Sequence, residues 1–216
     1  MKYIKKGVEP EFLKNKKEKL DKNASYDDLG RKIKKLLREH LKAEQGEICC
    51  YCERRLHTKD DNSKDYHNEH IKPKDRELYP HLATDYYNIV CSCQGNLKKA
   101  EISHCGKAKD NWYDEQLFVS PLSKDCESKF RYNDGGEVFA VDGNKAAKTT
   151  IEKLNLNCDK LIEMRKMVLK VFYEEELSLE ELIRLVKDVL KEKGNNKGKY
   201  QEFYTTIKYL FGKYIE

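Results

Sequence analysis

The chain has 216 residues, 43 Lys or Arg against 38 Asp or Glu, and a formal net charge of +5. That length suits one domain with a real core, or a small core with a helical extension, and the mild net charge does not by itself mark a nucleic-acid binder. No run approaches the roughly 18 apolar residues needed to span a bilayer, so a membrane protein is excluded and a cytoplasmic one is expected.

Charge distribution says more than its sum. Residues 1–42 hold fourteen Lys or Arg and seven Asp or Glu, so the positive field is concentrated ahead of the cysteines. Residues 1–24 read as a lysine-rich extended arm with one short helix. Ser25-Tyr26-Asp27-Asp28 then reads as an N-cap, with Leu29, Ile33, Leu36, Leu37 and Leu41 on one helical face until Gly46. The opposite face carries Lys34 and Arg38, either as a solvated surface or as a phosphate-contacting one.

Six of the eight cysteines fall between residues 49 and 105. In a reducing compartment they are expected as metal ligands or buried thiols rather than disulfides. Cys49-x-x-Cys52 is the spacing by which one tight turn offers two thiolates to a tetrahedral zinc, with Cys93 and Cys105 as the preferred second pair. Cys91 is the alternative to Cys93; Cys50, Cys126 and Cys158 read as structural thiols. A Cys₂His₂ site using His67 and His70 is a competing arrangement, although two residues between the histidines is short for it.

Polar, turn-like residues 60–65 precede a short strand expected through His67 to Ile71, ended by Pro73. A second strand is expected over Asn88 to Cys93, and Cys105 to Trp112 opens a helix. The turn-rich stretch from Phe118 to Asp142 contains one strand candidate, Glu137 to Val141. Beyond Thr149 the pattern is helical: Leu161, Met164, Met167, Val168, Val171 and Phe172 line one helix. A Ser178-x-x-Glu181 capping box opens the next, running toward Gly194, and an aromatic stripe from Tyr200 to Tyr214 closes the chain as core or as a docking face. There is no internal repeat.

The chemistry lies between the two cysteine pairs. Phosphodiester hydrolysis needs a base for a water and a cation for the developing charge. His70 can accept the proton, Glu69 offers a hard oxygen to Mg²⁺ or Mn²⁺, and Asn88 can fix the His70 ring or its loop. Because strand neighbours alternate sides, Glu69 and His70 can bracket one phosphate only if the hairpin twists.

These residues resemble the HNH endonucleases, and within them the nuclease subunit of Septu-type and retron-associated anti-phage systems (PtuB-like). The resemblance is carried by Cys49-Cys50-Tyr51-Cys52-Glu53, Glu69-His70-Ile71-Lys72-Pro73-Lys74, Tyr79-Pro80-His81-Leu82, Asp85-Tyr86-Tyr87-Asn88, Ser92-Cys93, Cys105-Gly106-Lys107-Ala108-Lys109 and Pro121-Leu122. It continues through Cys126-Glu127, Phe130-Arg131-Tyr132 and Thr150 to Asn157, and so covers roughly residues 1–165. With the patterning above, the expected fold is α+β: a ββα-metal (HNH) core (49–145) stapled by zinc, an N-terminal basic arm and helix (1–48) and, from the helical pattern alone, a C-terminal helical extension (146–216) open to partner docking. The resemblance further implies His70 as general base, Glu69 as a metal ligand, Asn88 as the middle residue of the HNH name, DNA as substrate and a partner ATPase (PtuA-like). Gly106 stands where many members place a His or Asn ligand, which leaves His104 and Asp110 as substitutes. Lys72, Lys74, Lys109, Lys34 and Arg38 are the expected nucleic-acid contacts. A zinc-stabilised adaptor without catalysis, or an RNA-directed nuclease, are the rival readings.

Overall fold

The computed structural model describes residues 1–21, 24–57, 65–74, 78–95, 102–174, 176–191 and 198–215. The expectations for residues 60–64 and Gly194 lie outside the described residues.

The N-terminal arm is extended but not loose. Met1 and Ile4 are buried, and the Ile4 amide donates to the carbonyl of Pro121 over 2.8 Å before a short helix, α1 (Glu11–Lys17), buries Leu13. Ser25 and Asp28 form the expected capping box, with the Ser25 amide donating to Asp28 over 2.7 Å. The cap starts a 3₁₀ turn over Tyr26–Leu29 rather than the long helix, which begins afresh as α2 (Gly30–Glu44) after Gly30 takes φ +76°. Leu29, Leu37 and Leu41 are fully buried, each contributing roughly 2 kcal/mol. Leu36 is 41% exposed and does not belong to that face. The helix stops at Gly46, φ +66°, where the chain enters the cysteine turn.

α2 packs across a two-stranded antiparallel hairpin, β1 (Tyr66–His70) and β2 (Ile89–Cys93), whose register places Tyr66 opposite Cys93, Glu69 opposite Val90 and His70 opposite Ile89. Every residue of β2 is buried, Ser92 included, as suits a strand otherwise made of Ile, Val and Cys. One helical turn, α3 (Gly106–Lys109), follows, shorter than the expected helix to Trp112. A second small hairpin, β3 (Phe130–Tyr132) and β4 (Val138–Ala140), contacts α4 (Lys145–Lys153), which Asn144 caps by accepting from the Ala147 amide. One continuous core runs from Met1 to Leu161, so arm, hairpin, cysteine turn and α4 share it.

A second apolar cluster, built on Leu169, Phe172, Val186, Ile207 and Phe211, joins α5 (Asp159–Leu169), α6 (Leu179–Val189) and α7 (Tyr204–Phe211). Met167 and Val171, expected on the α5 stripe, are 75% and 41% exposed. The Ser178–Glu181 capping box is formed. The stripe in α7 is core: Phe203, Tyr204, Ile207 and Phe211 are buried, while Tyr209 and Tyr214 keep surface. α7 is also tied to the cysteine turn, because the Phe203 amide donates to the Glu53 carbonyl over 3.1 Å and the Thr205 amide to the Glu53 carboxylate over 2.8 Å. Among the described residues no helix is long and apolar enough to cross a membrane.

Candidate active site

The cysteine turn bonds back on itself, the Cys49 amide to the Arg54 carbonyl over 3.0 Å and the Glu53 amide to the Cys49 carbonyl over 3.1 Å, with Glu53 at φ +64°. This aims Cys49 and Cys52 at the end of β2. There Cys93 and Cys105 meet them, so that the four sulfurs lie within 4.8 Å of one another and all four residues are buried. The Cys52 and Cys93 sulfurs are 3.9 Å apart, against about 3.8 Å for two thiolates on one tetrahedral zinc. The cluster could therefore hold a structural zinc. Cys91 is not in it: its amide donates to Gln45 over 2.6 Å; Cys50 is outside the set but bonds to Cys49, and Cys126 and Cys158 are separate buried thiols.

Burial alone would raise all four cluster thiols. Bonds from its neighbours hold Cys49 well below the usual range and bring Cys93 down to about 6, while Cys52 and Cys105 stay raised. Arg54, paired with Asp65 over 2.8 Å, lies close enough to Cys93 and Cys52 to balance that negative charge. The expected ligand His104 also belongs here. It is buried, with Nδ1 at 3.2 Å from the Cys105 sulfur and 3.8 Å from that of Cys93, on the cysteine side and not against Glu69. The Cys₂His₂ arrangement is not formed, because His67 and His70 point elsewhere.

Where they point is a cleft of about 400 Å³ walled by β1, Tyr26 and the start of α3. His67, Asn68, Glu69 and His70 all line it: the strand alternation is kept, with Asn68 and His70 against Tyr26 and His67 facing Glu69, so the cleft takes in both sides of the end of β1. The Glu69 carboxylate is 9% exposed and fully engaged. Oε1 accepts from the Tyr51 hydroxyl over 3.1 Å and pairs with the Lys109 ammonium at 3.2 Å, and Oε2 faces His67 Nε2 at 3.3 Å. Burial pushes this carboxyl up, but the His67 bond and the Lys109 charge outweigh it, and Glu69 is held below its usual value.

His70 Nε2 lies 2.9 Å from the carbonyl oxygen of Ala83. A carbonyl only accepts, so Nε2 carries the proton and the lone pair is on Nδ1. The ring also stands edge-on to Tyr26, centroids 4.7 Å apart. Burial lowers the His70 pKa, with the cations Lys74 and Lys109 adding to the effect, so the imidazole is neutral at pH 7.

Asn88 sits one residue ahead of β2, in a 3₁₀ turn, and acts on loops rather than on the ring. Its amide bridges the Lys72 backbone in both directions at 2.9 Å and donates to the Leu82 carbonyl over 3.1 Å. It thereby joins the segment leaving His70 to the segment that presents the Ala83 carbonyl.

Of the expected nucleic-acid contacts, Lys74 lines the cleft and Lys34 stands on its Tyr26 wall, paired with Asp27. Lys72 lies over Tyr79 and Tyr113, and Arg38 lies over Tyr66 at the far end of β1. Lys109 does not reach the surface: only 1% of its side chain is exposed, and the ammonium is spent on Glu69 and the His70 carbonyl. Asp110 lines the cleft beside Lys107, which the sequence offers only as part of the Cys105 to Lys109 motif, and Asn111, which does not stand out in it. Tyr26 and His67 were also missed as site residues, the first because it reads as part of a cap, the second because its distance from Cys52 suggests a finger.

Two known proteins are similar to this chain. The "Retron Vc95 putative HNH endonuclease" of Vibrio cholerae serotype O1 biovar El Tor is 33% identical over 148 residues, covering 65% of this chain and 67% of the relative. The "Retron Ec83 putative HNH endonuclease" of Escherichia coli is 26% identical over 246 residues, covering 95% and 92%. No family model matches. The chain belongs to the family of retron HNH endonucleases.

Proposed function

We propose that this chain is a divalent-metal-dependent endonuclease that hydrolyses DNA phosphodiester bonds from a ββα-metal core made of β1, β2 and α3, stapled by zinc on Cys49, Cys52, Cys93 and Cys105. The observation that carries this reading is the pairing, in one cleft, of an ionised carboxylate on Glu69 with a neutral His70 whose Nδ1 is the nitrogen left without a proton.

In this reading His70 Nδ1 takes the proton of the attacking water, and the Ala83 carbonyl stabilises the imidazolium that results. Glu69, oriented by Tyr51 and Lys109, would hold Mg²⁺ or Mn²⁺, which supplies charge neutralisation at the scissile phosphate and the leaving oxygen when bound. Asn88 is a positioning residue for the Ala83 carbonyl. Lys74 and Lys107 at the cleft draw in the phosphate backbone, with Lys72 and Lys34 beside them. Asp110 lies at the cleft wall as a further oxygen donor. The likeness to Septu- and retron-associated nucleases supports a place in an anti-phage complex with an ATPase (PtuA-like) as partner.

The test is plasmid cleavage in Mg²⁺ or Mn²⁺ by wild type and His70→Ala, alone and with any co-purifying ATPase. Cleavage lost in the variant at unchanged zinc content is the expected result. Equal cleavage by both would overturn the assignment of His70. Cleavage of RNA but not DNA by the same preparation would move the substrate, and no cleavage of either in the complex would favour the non-catalytic adaptor.

A further inference from the structure

We infer that His67 is a second protein ligand of the catalytic divalent ion, sharing it with Glu69; the inference rests on the reading of Glu69 as a metal ligand given above. His67 and Glu69 are separated by one residue on β1, so both side chains leave the same face of the strand. His67 Nε2 and Glu69 Oε2 are 3.3 Å apart. Two ligand atoms each about 2.1 Å from one octahedral ion stand about 3 Å apart, so the observed pair needs only a few tenths of an ångström of adjustment to grip the same ion.

Opposite this pair the backbone has been cleared. A Cβ on Gly106 would lie 2.5 Å from Glu69 Oε2 and 3.0 Å from His67 Nε2, so any side chain there would press on both ligand atoms. The two atoms instead face the cleft, which leaves the remaining coordination positions to water and to substrate oxygens, as a hard divalent ion prefers.

The rest of the His67 ring is not committed to another role. Nδ1 is buried and has no hydrogen-bond partner among the described residues, so no second contact pins the ring proton to Nε2. With the ion bound, the proton resides on Nδ1 and the Nε2 lone pair faces the metal. Because no acceptor raises the basicity of the ring from behind, the site binds its ion weakly until substrate adds its own oxygens.

The probe is Mn²⁺, followed by its paramagnetic resonance signal in titrations of the zinc-loaded full chain and by electron spin-echo modulation, which reports directly coordinated imidazole nitrogen. Wild type should bind one Mn²⁺ with ¹⁴N modulation. His67→Ala and His67→Gln should lose the modulation and weaken binding at least about tenfold, since removing groups merely behind a ligand already costs 10–100-fold. His70→Ala should keep the modulation, and Glu69→Gln should abolish binding. Modulation and affinity retained in both His67 variants, while lost in Glu69→Gln, would overturn the role of His67 and leave that of Glu69 standing. Modulation lost in His70→Ala but kept in the His67 variants would also overturn it. No Mn²⁺ binding by wild type, or binding indifferent to Glu69→Gln, would sink both readings. Unchanged zinc content shows that each variant is folded, and the Gln variant keeps the question open to test should the Ala variant fail to fold.

Discussion

His70 Nε2–H donates to the carbonyl oxygen of Ala83 over 2.9 Å, and this one contact selects Nδ1 as the nitrogen that can do chemistry. The same buried position depresses the His70 pKa below the ordinary 6.5, with Lys74 and Lys109 contributing. A protonated imidazole cannot take a proton from water. Cleavage should therefore fall as pH drops through a limb lying below 6.5, and Lys74→Gln should move that limb upward by removing one of the cations that lowers it. A pH–rate profile of both proteins at saturating Mn²⁺ checks this; a limb unmoved in Lys74→Gln would separate Lys74 from the ring.

Asn88 touches the Lys72 backbone twice and the Leu82 carbonyl once, and none of these contacts is to the His70 ring. Asn88→Ala should cost about 1–3 kcal/mol of stability, through buried backbone groups left unpaired. Its larger effect should be on kcat, since the Ala83 carbonyl loses its anchor while Glu69 keeps its own. Denaturant unfolding together with Mn²⁺ binding tests this division. Affinity for Mn²⁺ near wild type with cleavage much reduced is the expected pair of results.

Cys49, Cys52, Cys93 and Cys105 converge from the cysteine turn, the end of β2 and the start of α3, so the cysteine cluster joins the two halves of the site. The purified chain should carry about one zinc, and Cys52→Ser or exhaustive chelation should lower its thermal midpoint sharply, because binding energy at a structural zinc is folding energy. Cys158→Ser, outside the cluster, should keep both zinc content and midpoint close to wild type. A metal-free chain of undiminished stability would rule the staple out.

The parts of this site legible in the sequence were those set by local spacing. Cys49-x-x-Cys52 and the strand ending in Cys93 point to each other through chemistry that only a metal or a core can satisfy. The Glu69-His70 dipeptide points to the cleft that both residues line, because the hydrolysis proposed for it calls for both residue types. What could not be read was set by contacts across the chain. Lys109 looks like a surface lysine in its own segment and is buried only because Glu69, forty positions away, supplies its counter-charge. His67 reads as a finger ligand until the hairpin shows which residue it faces. Leu36 fits the helical stripe by eye, yet it falls at the edge of the buried face and stays exposed.

Gly106 reads in the sequence as a lost ligand, whereas in the fold it is a space that Glu69 requires. Gly106→Ala should therefore impair the site without touching any charged group. The added methyl would fall 2.5 Å from Glu69 Oε2, and an overpacked contact of this kind costs about 1–3 kcal/mol. Mn²⁺ affinity should drop while zinc content holds, and a titration of both metals in one preparation would show it.

The C-terminal aromatic stripe separates core from docking face by position. Ile207 and Phe211 are buried in the C-terminal cluster, and the backbone at the start of α7 is bonded to Glu53 beside the cysteines, so a charge at either residue should unfold that cluster. Glu53→Ala should loosen α7 by leaving the Thr205 amide and hydroxyl without their acceptor, at a cost of about 1–3 kcal/mol. Tyr209 is 49% exposed on the same helix, so Tyr209→Glu should leave the fold intact. If α7 also meets an ATPase, Tyr209→Glu should abolish co-purification while circular dichroism and zinc content stay unchanged. Co-purification undiminished by that charge would assign α7 to the core alone.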